Sequence, residues 1–575
     1  VVETRARTGK AWFAGAVAIF LLALAASFDG FWGGDLRRDV PFRADGIAGP
    51  VTTEDYQMTV WATSRNARAL LRGAGDLFDA EPCYPNRNSL TVYHPLVTLG
   101  LLAIPGQLAT GDPIAAFDLA LFLKILAAAI AMYVLIADWT RMPAAGIVAG
   151  LLYAFASIQI GKPHHLHHAD NAWLLWVLFF AHRLFERGRW ADALAVGIFA
   201  ALQMGSSFYP LIAAAAIGTP LGVWLLWDRR GRPERLLPVI GAAAIAMAAA
   251  AFVLLPYLES AGASIPEPVR HFYAPWSSFL PGRARFPGWT CLLLVVAALA
   301  LGRERALAGI RGDPRAALLL AALFTALLAT GGNERAALRS APAIVLPNPY
   351  AALETILPGL SAVRVVSDLT LGVHQVLCIL AGFGAAALLR SVPRAVFPWA
   401  AALFIAIAFV ETTRPASIGT DRSPPFRRLA LRPDDATLEF FRTLEESGNR
   451  GPLLEVPIRL IGSGGRLESM WKADLTRDQF LTAYHHRRTS SCIGAHRMAN
   501  VAAIDDWSRR LLEPAGIEAA RREGFTTLLI HHPPGRSFEQ QYARQMRRIA
   551  RASEDRLVPV ATNASLTAYA LRDPP

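Results

Sequence analysis

The sequence has 575 residues, 53% of them hydrophobic and only 18% charged, with a mean hydropathy of +0.33. Soluble chains carry about 25% charged residues, so this composition excludes disorder, a fibrous repeat and an ordinary cytosolic enzyme and points to a bilayer. The 57 Lys+Arg against 45 Asp+Glu leave a net +12, which suits nucleic acid or an anionic membrane until the arginines are placed.

In chain order, about eleven apolar stretches approach the 20 or so residues that a membrane helix needs: 11–27, 114–137, 144–160, 171–187, 191–207, 209–227, 237–256, 287–302, 315–331, 369–389 and 395–411. The first follows Arg5, Arg7 and Lys10, as a signal peptide would, but no small-x-small cleavage site precedes a soluble domain, so a retained anchor is expected. A twelfth stretch, 96–109, is short and holds Pro105 and Gly106. Fourteen arginines decide its reading. They lie in five short connections: Arg141; Arg183, Arg187 and Arg189; Arg229, Arg230, Arg232 and Arg235; Arg303, Arg305, Arg311 and Arg315; Arg390 and Arg394. With the N-terminus cytoplasmic and 96–109 lying in the outer interface, every one of these connections falls inside, as the positive-inside rule requires. The arginines then serve orientation in a lipid bilayer, and nucleic-acid binding is not expected.

This topology leaves 28–113, 257–286, 332–368 and 412–575 outside. Residues 1–411 form a transmembrane domain and 412–575 an extracytoplasmic α/β domain, with strand-like runs at 453–458 and 526–530 and helical periodicity over 436–446 and 505–523. Cys291 and Cys378 lie in apolar runs as small buried hydrophobes, whereas Cys83 and Cys492 would pair only if both face an oxidising compartment. Lys124 is the main charge deep in a span, explained by helix pairing or snorkelling.

The first external loop is too long for a simple connector. After Glu54-Asp55 it turns helical, with Trp61, Ala62, Leu70 and Leu71 as the apolar face, which puts Asp55 at or near a helix start, either as an N-cap or as a functional acid. The turn between the third and fourth spans carries His164, His165, His167, His168 and Asp170. Neutral imidazoles with a carboxylate suit zinc or another divalent cation; contact with a substrate phosphate, or histidines facing water and headgroups, are the other readings.

A long first external loop with an acidic residue before Tyr56-x-x-x-x-Trp61, a Pro-flanked interfacial segment and a His/Asp turn after the third span together resemble the GT-C superfamily of membrane glycosyltransferases, and in particular bacterial members of the YfhO type. Gly205-Ser206-Ser207-Phe208-Tyr209-Pro210 and Leu357-Pro358-Gly359-Leu360-Ser361-Ala362-Val363-Arg364-Val365 are similar to motifs of that group, as are 453–458 and Gly524 to His531. The resemblance implies a polytopic α-helical fold and inverting transfer of a sugar from a polyprenyl-phosphate donor to an envelope glycan, lipid or protein at the bacterial inner membrane. It implies Asp55 as general base or metal ligand and Arg364 at the lipid phosphate. Glu54, His165 and Tyr209 would contact substrate, and Asp55, His165, His167 and Asp170 would hold a divalent metal (Mg, Mn or Zn). The first loop lacks a DxD at Asp55, and the Trp-Trp-Asp motif of oligosaccharyltransferases is missing, which argues against asparagine glycosylation. The competing readings are an envelope-lipid transporter or flippase, which would show inverted repeats and mid-span charges, and a non-catalytic assembly protein.

Overall fold

The computed structural model describes residues 2–43, 50–228, 236–262, 264–265, 271–283, 285–301, 312–331, 348–357, 359–420, 424–456, 467–492, 497–498, 514–532, 544, 547 and 556–572. The arginines at 229–235 and 303–311, Pro358, residues 457–458 and the 505–513 part of the expected helix lie outside the described residues.

The membrane part consists of α1 (Val2–Ser27), α2 (Pro50–Leu71), α3 (Val97–Thr110), α4 (Pro113–Thr140), α5 (Pro143–Ala154), α6 (Ala172–Arg187), α7 (Trp190–Met204), α8 (Phe208–Asp228), α9 (Leu236–Gly262), α10 (Trp289–Ala300), α11 (Arg315–Thr330), α12 (Thr370–Ser391) and α13 (Phe397–Thr413). Each expected span thus contains a helix. Five helical stretches are long and apolar enough to cross a membrane: Gly9–Ser27, Pro113–Thr140, Phe208–Trp227, Leu237–Ser260 and Val366–Ser391. The chain is a multi-pass membrane protein. The third expected span, 144–160, is interrupted: α5 stops at Ala154 and a separate turn of helix covers Ser157–Ile160. Helix α3 has 14 residues, about 21 Å, and α5 and α10 are shorter still at 12 residues each, so helix length does not separate α3 from the expected spans.

Close packing relies on small residues where backbones meet. At Gly384 of α12 an added Cβ would collide with the Leu294 carbonyl of α10, and at Gly106 of α3 it would meet Ala116 of α4. Cys291 and Cys378 are buried in this packing, as expected. Lys124 is also buried in the bundle, within range of the Asp170 charge, and does not snorkel.

The described helices have two distinguishable ends. The Arg390 guanidinium donates to the Thr140 carbonyl, which joins the C-terminal ends of α4 and α12, with Arg141 beside them. The N-terminal ends of the same helices carry the polar groups: Arg432 lies 3.6 Å from Asp112 before α4, and Asp368 stands just ahead of α12.

The first loop is built into the C-terminal region. β1 (Asp39–Phe42) pairs antiparallel with β3 (Arg427–Ala430), and β2 (Ser264–Ile265) with β5 (Arg497–Met498). A four-stranded sheet has the order β4 (Leu453–Val456), β6 (Thr527–His531), β8 (Leu566–Leu571), β7 (Leu557–Thr562); β4 and β6 are parallel, the other pairs antiparallel. Around it lie α14 (Asp435–Glu446), α15 (Leu467–His485) and α16 (Pro514–Arg522). This is the α/β domain that the sequence predicts. Its edge extends through Thr489, bridged in parallel to Leu453, and then to the first loop: Thr489 N donates to Glu81 O, Tyr84 N to Thr489 O and Cys83 N to Ser491 O, each at 2.9 Å. Cys83 and Cys492 form a disulfide across this ladder, 409 residues apart in sequence.

Two expectations about the loop helix change. Pro50 occupies the first position of α2, a common helix start because proline has no N–H to leave unbonded, so Asp55 lies in the second turn and is not an N-cap. Trp61 and Ala62 are fully buried, Leu70 is half-buried and Leu71 is exposed.

Closing so long a loop restricts the unfolded chain. Cys83→Ser is therefore expected to destabilise the region by about 2–5 kcal/mol, read as a lower thermal unfolding midpoint of the purified protein. An unchanged midpoint would show that the backbone ladder alone holds the loop.

Candidate functional site

Helix α2 presents Asp55 and Thr59, four residues apart and hence on one face, to the turn Pro163–Ala169. The Thr59 hydroxyl lies 2.7 Å from His164 O and 3.0 Å from the Tyr93 hydroxyl, which fixes the turn on the helix. The Asp55 carboxylate thereby comes to 3.5 Å from His165 Nε2. That is longer than a normal hydrogen bond and suits two ligands of one ion with bonds of about 2.1 Å. Glu54 is buried and, one residue back, is turned about 100° around the helix.

The turn sends its histidines in different directions. His164 and His165 join Asp55, with ligand atoms within 4.8 Å of one another; His167 and His168 form a second such group with His94. The rings are in mutual contact, His165 with His168 at 4.7 Å and His94 with His167 at 4.8 Å between centroids. Asp170 belongs to neither group. One of its oxygens accepts from the Thr98 hydroxyl, the other from Trp173 Nε1 at 3.1 Å, and its carbonyl accepts from Gln203 Nε2 at 3.0 Å. The expected metal set of Asp55, His165, His167 and Asp170 is thus not one set: Asp170 is occupied as a buried brace, and the two histidines serve different groups.

Tyr209, second residue of α8, lies with its ring 4.3 Å from His168, and its hydroxyl accepts from Val365 N at 3.3 Å. This brings the 205–210 motif against the 357–365 motif. Arg364 is exposed, its guanidinium 5.4 Å from the Phe272 ring, and its charge reaches Tyr209. Three further residues complete the site. The His168 Nδ1 bonds the Asp368 carboxylate, and Asp368 lies 3.4 Å from an Arg285 nitrogen that also donates to Ser367 at 3.0 Å. His94, before Pro95, stands over His167 and Tyr209. His94 and Asp368 adjoin stretches marked in the sequence, the Pro-flanked segment and the Arg-Val motif. Arg285 has no local signal, because only the fold brings it to Asp368.

Burial dominates the electrostatics. Desolvation, followed by the charge of His168, pushes His94 down to about 3. Desolvation and then the neighbouring histidines hold His165 and His167 well below the usual imidazole range. Burial also raises Asp170 against the Thr98 hydrogen bond and the Lys124 charge. Near neutral pH, then, His94, His165 and His167 present uncharged rings. Nδ1 of each is buried without a hydrogen-bond partner among the described residues. The uncharged His165 ring and the Asp55 carboxylate, with His164 grouped beside them, fit a divalent cation, and Asp55, His164 and His165 are the residues that would hold it.

A third group, Glu455, Asp478 and His531, lies in the C-terminal domain. The Glu455 oxygens already accept from Thr489, from Ser491 at 3.0 Å and from His531 Nε2 at 3.1 Å. This group braces the sheet edge against the first loop.

The role of Asp170 can be tested without touching the other ligands. Thr98→Val removes one of its two side-chain donors, with an expected stability loss of about 1–3 kcal/mol by thermal unfolding and unchanged divalent-cation binding. A loss of cation binding at constant stability would return Asp170 to the ligand set.

No protein-family model matches the sequence, and no curated protein matches it in sequence. Solved structures do. Against the mycobacterial arabinofuranosyltransferase AftD the TM-score is 0.52 at 16% identity, covering 98% of this chain and 40% of AftD; the R1389S mutant of AftD gives 0.52 at 15% identity, covering 98% and 41%. ArnT from Cupriavidus metallidurans in the apo state gives 0.46 at 13% identity, with 98% of both chains covered. The chain thus spans about 40% of the length of AftD. By its likeness to AftD, the chain has the fold of the GT-C membrane glycosyltransferases.

Proposed function

We propose that this protein is a membrane glycosyltransferase that moves a sugar from a polyprenyl-phosphate-linked donor to an envelope glycan, lipid or protein. The observation that carries the reading is the meeting of Asp55 with the 163–170 turn, on a GT-C fold, at the helix ends opposite Arg141 and Arg390. The positive-inside rule supports a cytoplasmic position for those arginines, and in this reading Asp55, the histidines and the C-terminal domain lie on the outer face of the bacterial inner membrane.

The donor's tail would remain in lipid and its phosphate at the interface. Transfer needs a base for the acceptor hydroxyl and positive charge for the departing phosphate. Asp55, half-buried and 3.5 Å from His165, supplies the base. Arg364 is exposed beside Tyr209 and so is available to an anionic headgroup. Attack from the face opposite the phosphate inverts the sugar carbon. A divalent cation held by Asp55, His164 and His165 would supply further charge stabilisation when bound. His168, braced by Asp368, holds the Tyr209 ring, and Tyr209 in turn accepts from the backbone next to Arg364, so the two halves of the site are fixed in register.

Asp55→Asn keeps the shape of the side chain and removes its basicity. Transfer from a purified polyprenyl-phosphate sugar should fall at least about 100-fold, with membrane insertion and thermal midpoint unchanged. Retained transfer would refute the assignment.

A further inference from the structure

We propose a transition-metal site made of His94, His167 and His168, separate from the Asp55 group and independent of the glycosyltransferase reading. The three residues come from distant parts of the chain, the segment before α3 and the turn before α6, yet each offers a ring nitrogen within 4.8 Å of the other two. His167 is only 2% exposed, and its Nδ1 and that of His94 are buried with no hydrogen-bond partner among the described residues. Leaving such atoms unpaired costs about 1–3 kcal/mol each, a cost that an ion on the ring nitrogens removes.

The third histidine is already set up for ligation. Its Nδ1 is taken by the Asp368 carboxylate, which leaves Nε2 as the nitrogen for an ion. A carboxylate behind a histidine fixes the tautomer and raises the basicity of the other nitrogen, the arrangement found behind metal-bound histidines. Asp368 is itself held, by Arg285 at 3.4 Å, so the brace extends past the ligands.

The donor type selects the ion. Three imidazoles and no carboxylate in the inner set favour zinc and its neighbours over magnesium, calcium or manganese, which prefer oxygen. Three protein ligands leave a fourth tetrahedral position for water or a substrate oxygen. The rings of Tyr209 and His94 are 5.2 Å apart, so a molecule bound at that position would meet Tyr209. The Asp55 group differs in holding a carboxylate beside two imidazoles, so two adjacent donor groups, one of imidazoles alone and one mixed, share one turn.

The test uses the full-length protein in detergent, stripped with a chelator and titrated with zinc chloride, with cobalt chloride as a spectroscopic probe. Wild-type protein should take up zinc in the presence of excess magnesium, and cobalt should give the visible bands of a tetrahedral, nitrogen-rich site. His94→Ala and His167→Ala should each lose one zinc equivalent, Asp55→Asn should retain it, and Asp368→Asn should weaken zinc binding about 10–100-fold. No tetrahedral cobalt bands in the wild type, or zinc uptake unchanged in the His94→Ala/His167→Ala double variant, would overturn the site. So would loss of the same equivalent in Asp55→Asn, because the ion would then belong to the Asp55 group. The readout involves no sugar transfer, so it stands or falls separately from the transfer assay of Asp55→Asn.

Discussion

The loop that carries the candidate site is held by one buried ion cluster. Arg65, 1% exposed, donates to Asp79 O at 2.9 Å and to the carbonyls of Asp76 and Leu77, while Glu81 lies 3.6 Å from Arg65 and 3.5 Å from Arg68. Breaking such a pair strands a charge in a medium of low polarity, at a cost of about 3–5 kcal/mol. The cluster wraps residues 76–81 around α2 and delivers Glu81, Cys83 and Tyr84 to the edge of the C-terminal sheet. Arg68 also donates to Ala483 O of α15 at 3.4 Å. Helix α2 is therefore fixed from the C-terminal domain as well as from the bundle, and Asp55 takes its position from both.

The site itself is a cluster of histidines drawn from one turn and from the segment before α3. Burial and then the neighbouring histidines hold the His94, His165 and His167 rings below the usual imidazole range, so these three stay uncharged near neutral pH. The turn divides them. Thr59 ties its first half to α2, which gives His164 and His165 to Asp55, and Asp368 ties its second half to the start of α12, which holds His168 beside His94 and His167. Asp170 closes the turn from below through Thr98, Trp173 and Gln203. The result is two donor groups of different chemistry within one short segment.

Much of the membrane architecture was legible because apolar runs and arginine placement act through composition alone. Helices occupy the stretches read as spans. Helix α2 starts at Pro50, ahead of the acidic pair Glu54-Asp55, because proline is itself a helix-start signal. The site was half legible. Asp55 and the histidine run stand out by residue type, whereas the partition of the run, and the recruitment of His94, Asp368 and Arg285, depend on segments up to about 200 residues away.

The sequence by itself determined that this chain lives in a membrane, which of its segments are apolar helices, and that an acid and a histidine cluster belong to its polar loops. Those properties follow from side-chain hydrophobicity and charge, which act locally and need no partner. Only the tertiary structure decided that Cys83 pairs with Cys492, that Lys124 is buried within range of the Asp170 charge, and that Asp170 braces the turn while His94 joins His167 and His168. Each of these is a contact between distant segments. Whether a buried polar group serves as a brace or as a ligand depends on which partner reaches it first.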